Sequence, residues 1–170
     1  MKTGSKTISK AAGKAKGATK ALTGYPGIFH HLAGEHAEVA VLMNRLAAGD
    51  GKTRAELLPE LKRNLLAHAH GEEQVFYPEV RRFPELQALV TRCLEDHQQI
   101  ERQLARLESM DTSSPGWGDS LQELKEAVET HVEREEDEVF PVAADLLEAG
   151  QAKDLEERYE SVEEREKAKM

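Results

Sequence analysis

An all-α fold, an antiparallel up-and-down four-helix bundle, is what this sequence of 170 residues predicts. Three observations carry the prediction. Beyond Tyr25 the apolar residues recur at three- and four-residue steps, the period of a helix, and no alternating strand pattern competes. Clusters of Pro, Gly, Ser and Asp divide that pattern into four segments with short connections, which oblige neighbouring helices to run in opposite directions. The third and fourth segments also repeat the first and second: "HAHGEEQVFYP" at 68–78 is answered by "HVEREEDEVFP" at 131–141, and "EH" at 35–36 by "DH" at 96–97.

Helix one is expected from Pro26 to Ala48, since proline suits a first helical turn and "GDGKT" then marks a turn. Helix two should cover Ala55 to Tyr77, with Leu58, Leu61, Leu65, His68, Glu72 and Phe76 along one stripe. Pro78 and "RRFP" bend the chain into helix three, Glu85 to Met110, where Leu86, Val90, Cys93, His97, Ile100, Leu104 and Leu107 recur at helical steps. "DTSSPGWGDS" is the clearest loop. Helix four, Leu121 to Phe140, aligns Leu124, Val128, His131, Glu135 and Val139; Pro141 should kink or end it, and "VAADLLEAG" closes on a glycine of C-cap type. The domain reading is therefore a disordered basic arm over 1–24, the bundle over 25–150, and a charged C-terminal helix over 151–170. That last stretch reads as solvated and prone to fray, because twelve of its twenty residues are charged.

No apolar run is long enough for a transmembrane segment, so the expected setting is the cytoplasm. A single cysteine, Cys93, allows neither an internal disulfide nor a thiolate metal cluster, so any metal would rest on His and carboxylate ligands. The net charge of -9 is unevenly spread. Six lysines in residues 1–24 stand without an acid, which leaves -15 on residues 25–170, a balance that repels nucleic acid. The arm itself has too little apolar content to order; its positive charge suits a weak contact with nucleic acid or an anionic membrane surface.

The stripes that should face the core carry the chemistry. Where a plain bundle would place Leu or Ala, helix one offers His36, helix two His68 and Glu72, helix three His97 and Glu101, and helix four His131 and Glu135. A buried, unpaired carboxylate costs several kcal/mol, and no Lys or Arg lies near these positions on the stripes to offset three of them. A metal cation would. His at i and Glu at i+4 lie about 40° apart around a helix and about 6 Å along it, so both can reach one metal centre or two adjacent ones. A lone histidine is more often a bonded core or surface imidazole; the repeated spacing is what turns the argument toward metal.

Over residues 28–150 these motifs, "EHAEV", "HAHGEEQVFYP", "DHQQIE" and "HVEREEDEVFP", resemble the hemerythrin-like family of HHE cation-binding bundles. The resemblance implies two non-haem iron ions with a bridging oxo or hydroxo group. It also implies Glu72 and Glu135 as carboxylate bridges and His36, His68, His97 and His131 as terminal ligands. The family's oxygen carriers have a fifth terminal histidine where this chain has Glu101. The expectation is that Glu101 joins the iron held by His97 and His131; the alternative is a carboxylate turned to solvent near Arg102 or Arg106.

The functional expectation is a di-iron protein that binds or senses dioxygen or another small diatomic ligand such as nitric oxide, or handles iron. Its alternatives are an enzyme on the same centre that consumes peroxide or oxidises iron, and a metal-stabilised scaffold. Glu73 and Glu136, next to the bridges, either bond a ligand imidazole or face water. His70, about 200° round the helix from His68, should lie at the surface, as should His30 and His31. Tyr77 and Phe76 should close the end of the core, and Cys93 should fill it.

Overall fold

The computed structural model describes residues 25–170; the basic arm expected over 1–24 lies outside the described residues. The described chain is helical, with α1 over Ile28–Ala48, α2 over Gly51–Gly71, α3 over Tyr77–Val80, α4 over Gln87–Glu108, α5 over Trp117–Arg134, α6 over Phe140–Leu146 and α7 over Ala149–Lys169. The helices α1, α2, α4 and α5 are the four expected from the periodicity. Helix two begins earlier than the sequence suggested, because Asp50 takes the N-cap and its side chain accepts from the Thr53 N–H at 2.9 Å. Helix four likewise starts at Trp117, whose indole is fully buried under the Arg54 guanidinium, 4.7 Å from the ring centre.

Two π-turns interrupt the helices at equivalent places, Glu72–Phe76 after α2 and Glu135–Val139 after α5. In each, the backbone N–H five residues after the leading Glu bonds its carbonyl: Tyr77 to Glu72, and Phe140 to Glu135. Five residues of α-helix turn about 500°, which would leave Tyr77 some 140° away from Glu72. The wider π-turn closes that gap and brings Tyr77 and Phe140 back beneath the two glutamates. Pro78 and Pro141 sit just past these turns in the first turn of α3 and α6, so each proline is tolerated and the helix runs on beyond it.

The apolar core falls into two plugs with the polar stripe between them. One plug is built on Phe29, Leu32, Phe76, Val80, Cys93 and Phe140. The other contains Leu42, Leu46, Leu61, Leu104, Leu124 and Trp117. Each of α1, α2, α4 and α5, with the π-turns that follow α2 and α5, passes from one plug to the other, and its histidine marks the crossing.

The last twenty residues depart from the solvated helix expected of them. Ala152, Leu155, Tyr159 and Val162 of α7 are buried in the first plug, against α1, α2 and the first π-turn. Gly150 is not a C-cap but lies in the first turn of α7, and α6 ends instead on Leu147 in extended conformation. Gly27 enables the chain to enter α1 across α7: its φ is 72°, and a Cβ there would meet the Ala152 carbonyl oxygen at 2.6 Å.

Candidate metal centre

Between the plugs, His36, His68, His97, His131, Glu72 and Glu135 are all buried, the two glutamates completely. Their donor atoms form two groups that share Glu72. His36, His68, Glu72 and Glu135 make the first, and Glu72, His97 and His131 the second. Glu72 divides its oxygens between them, Oε1 at 3.3 Å from His68 Nε2 and Oε2 at 3.2 Å from His97 Nε2. The Oε2 atom of Glu135 lies 3.2 Å from His36 Nε2 and 3.4 Å from His131 Nε2.

The outer edge of each imidazole is faced by a carboxylate from another helix or from the π-turn that follows one. Glu35 takes His68 Nδ1 at 2.7 Å, Glu73 takes His97 Nδ1 at 2.8 Å, and Glu136 takes His36 Nδ1 at 2.9 Å. Asp96 faces His131 Nδ1 at 3.4 Å and is itself bound by Arg134. Glu35, Glu73 and Glu136 therefore fix the tautomer with the proton on Nδ1 and turn the Nε2 lone pair inward, while Asp96 offers His131 Nδ1 a nearby anion short of a hydrogen bond.

Inward-facing lone pairs then meet. His36 Nε2 and His68 Nε2 stand 3.2 Å apart, and His97 Nε2 and His131 Nε2 stand 3.1 Å apart. Two acceptors at that distance repel unless a cation or a proton lies between them. One oxygen of each glutamate, Glu72 Oε1 and Glu135 Oε2, is buried with no hydrogen-bond partner. Donors around a six-coordinate first-row ion sit about 3 Å from their neighbours, given bonds of about 2.1 Å. The residues present thus fit metal cations in spacing, in donor type and in the orphaned atoms that point at the gap.

Protons respond to the same field. Burial alone would lower the His36 imidazole, but Glu135 and Glu136 outweigh it and hold it at about 9. His97, lowered by burial and raised by Glu72 and Glu73, also sits at about 9. Burial works against the charged form of His68 too, yet Glu72 and Glu35 hold its imidazole well above the ordinary range. Glu72, which burial would raise, is drawn well below the usual carboxylate range by His68 and its other imidazole neighbours. The centre is negative enough to retain cations of one kind or another.

Two tyrosines and a glycine distinguish the halves. Tyr77 donates its O–H to Glu135 Oε1 at 2.6 Å and lies 3.3 Å from His97 Nε2, whereas its counterpart Phe140 stacks on His36 with ring centres 6.1 Å apart. Tyr159 of α7 donates to Glu35 Oε2 at 2.5 Å, beside His68 Nδ1. Gly71 makes room for it, since a Cβ there would meet the Tyr159 ring at 2.5 Å. In the second half the residue corresponding to Gly71 is Arg134, which steadies Asp96 directly. Tyr159 therefore does for Glu35 what Arg134 does for Asp96.

Six of the seven residues singled out from sequence converge, and Glu101 does not. Its side chain is 44% exposed and its carboxylate faces His70 Nε2 at 3.7 Å, outside both donor groups. It turns outward toward His70, not toward Arg102 or Arg106, and there occupies the rim of a small cavity. That cavity runs up to the four histidines past Val39, Leu65, Ile100 and Val128, and leaves about 30 Å³ for the centres of water-sized molecules. The orienting acids Glu35 and Asp96 and the hydroxyls of Tyr77 and Tyr159 were missed, although "EH" and "DH" placed both acids beside a ligand histidine.

Fold and site together define a helical bundle with a buried cation-binding centre. The chain belongs to the hemerythrin HHE cation-binding domain family, whose family model matches residues 27–143. A DNA nickase of Nostoc sp. (strain PCC 7120 / SAG 25.82 / UTEX 2576) is 27% identical over 118 residues, 69% of this chain and 33% of that protein, so the chain spans about a third of this relative's length. The crystal structure of an HHE cation-binding domain-containing protein from Mycobacterium kansasii, an Rv2633c homologue, superposes with a TM-score of 0.76 at 21% identity. It covers 85% of this chain and 89% of that one, and establishes the shared fold. No helix among the described residues is long and apolar enough to cross a membrane.

Proposed function

We propose that this centre holds two non-haem iron ions, and that the protein binds or senses a small diatomic molecule, dioxygen or nitric oxide, in the cavity beside them. The observation that carries this reading is the division of Glu72 between two facing imidazole pairs, which describes two adjacent ion positions sharing one carboxylate. Imidazole and carboxylate donors without thiolate suit iron among the first-row metals. Ferrous iron at these positions would supply the electrons and the exchangeable coordination position that a diatomic ligand requires. The chain's own contribution is to orient the imidazoles through the four outer acids, to exclude bulk water with the two apolar plugs, and to leave a cavity sized for a molecule of two or three atoms.

A second reading, an enzyme that consumes peroxide or oxidises ferrous iron, draws on the outward turn of Glu101. Four imidazoles, two bridging carboxylates and one bridging solvent oxygen fill about ten of about twelve positions around two octahedral ions, leaving about two for turnover. A role on nucleic acid, as in the name of the Nostoc relative, would have to work against the -15 carried by residues 25–170.

Metal analysis with optical and Mössbauer spectroscopy on protein expressed with ample iron tests the di-iron reading. About two irons per chain is the expected result; one iron, or zinc with no iron uptake on reconstitution, would sink it. Exposure of the reduced protein to air then separates the two functions. A long-lived coloured complex supports binding or sensing, and direct passage to the ferric form supports turnover.

A further inference from the structure

The seam between α1 and α7 gathers titratable groups that the central site does not use. His31 and Glu35, one turn apart on α1, face Glu156, Glu160 and Glu163 on α7. His31 Nε2 lies 3.3 Å from Glu35 Oε1, and its Nδ1 lies 3.4 Å from Glu160 Oε1 and 3.8 Å from Glu156 Oε1. His31 Nε2 is buried without a hydrogen-bond partner. The carboxyl of Glu163, only 11% exposed, touches that of Glu35. Four carboxylates thus surround one imidazole, and among the described residues Lys167 is the one Lys or Arg paired with any of them.

We infer that this seam is a further cation site, in which His31 Nε2, Glu35 and Glu163 bind one first-row divalent metal ion such as Fe2+ or Co2+. The three donor atoms lie within 4.8 Å of one another, and the closest pair already has the spacing of neighbours around a metal. Nδ1 of His31 faces Glu160 Oε1 at 3.4 Å, on the outer side where a carboxylate orients a ligating imidazole in metal sites generally. Burial and the contact with Glu35 push the Glu163 carboxyl up, and Glu35 with its acidic neighbours pushes the His31 imidazole up against its burial, so protons occupy the seam when no ion does. Glu156 and Glu160, on the solvent side, offer an incoming ion its first carboxylates. Glu35 is the link to the interior: its Oε1 faces the seam while its Oε2 holds His68. An ion here would lie one carboxylate away from a candidate ligand of the central site. The seam is on the opposite side of His68 from the central donors and does not depend on which metals those hold.

The test is equilibrium dialysis of the full-length, iron-loaded protein against Co2+, with iron and cobalt counted together. One Co2+ per chain without loss of iron is expected. His31→Asn and Glu163→Gln should each weaken its uptake at least tenfold while iron content and helical circular dichroism stay at the parent's level. Cobalt uptake matched mole for mole by iron loss would overturn the inference, as would no uptake at millimolar Co2+ or variants that bind like the parent. If one variant fails to fold, the other and the parent stoichiometry still decide. An unexpected iron count in the parent bears on the central site alone, because cobalt is scored by its difference between parent and variants.

Discussion

Tyr77 and Phe140 occupy equivalent places in the two halves of the bundle, each one π-turn beyond a buried glutamate, and differ by a single hydroxyl. That hydroxyl holds Glu135 Oε1 at 2.6 Å, which leaves Oε2 alone to face the imidazoles. Glu72 turns both oxygens to the imidazoles, with Oε2 also 3.2 Å from the same hydroxyl. Tyr77→Phe should leave Glu135 Oε1 without its donor and lower the stability of the metal-free protein by about 1–3 kcal/mol. Metal binding should survive, since Oε1 is then released toward the second position. Thermal melts of metal-free and loaded protein would show the loss in the first and not in the second.

Removal of a bridging candidate should act on metal and fold together. Glu72→Ala or Glu135→Ala is expected to reduce iron content and to lower the melting temperature of protein purified with iron, because an ion that binds only the native state stabilises it by mass action. Full iron content in either variant would show that the carboxylate is not a ligand.

The orienting acids make a finer prediction. Glu35→Gln keeps the shape of the side chain but replaces an anion at His68 Nδ1 by a neutral amide, which should cost about 10–100-fold in metal affinity. Glu101→Ala, at the exposed rim, should leave iron content at the parent's level. Competition with a chelator at fixed pH ranks the two against the parent.

Protons and metal compete for the same atoms, and the sign follows from the shifts. His36 and His97 are raised to about 9 in the folded protein, so their contribution to metal-free stability is full below about pH 6.5 and is lost as pH rises through 9. Glu72 is depressed, so its contribution is present above about pH 4.5 and is lost on acidification. Metal-free protein should therefore melt highest between about pH 4.5 and 6.5 and decline on both sides. Metal affinity should rise with pH above neutrality as protons leave the imidazoles. Melting curves of metal-free protein that stay flat from pH 6.5 to 9.5 would contradict the assignment of raised imidazoles.

Gly71→Ala tests the seating of α7. The added methyl would meet the Tyr159 ring at 2.5 Å, and the ring cannot retreat without leaving Glu35. A loss of about 1–3 kcal/mol is expected from overpacking, with α7 exchanging its amide hydrogens faster than α1.

What the sequence made legible was set by periodicity. The helix stripes put His36, His68, Glu72, His97, His131 and Glu135 on faces that converge, because His36 and His97 lie in uninterrupted helices and the other four lie before or at the start of a π-turn, where the α-helical count still holds. The count fails at the next residue, so Tyr77 was assigned to the end of the core and not to the site. Glu101 lay on the right stripe by the same count, but it is one turn farther along α4, where the bundle opens and His70 is nearer than the centre. For α7 a signal existed: Ala152, Leu155, Tyr159 and Val162 recur at helical steps, yet eight charged neighbours between 154 and 165 obscured so narrow a stripe. The acids that hold the imidazoles were visible as residues but not as partners, because each bonds across to another helix.

That crossing has a kinetic consequence. Glu35 on α1 serves His68 on α2, Glu73 beyond α2 serves His97 on α4, Asp96 on α4 serves His131 on α5, and Glu136 beyond α5 serves His36 on α1, which closes a circuit. No helix orients its own histidine, so none of the four imidazoles is poised until its neighbour has docked. Assembly is then all-or-none at the centre, and a half-formed chain offers an ion only loose, unaligned donors. Capture of metal becomes a late event that reports a completed bundle, and withdrawal of any one helix releases two imidazoles at once.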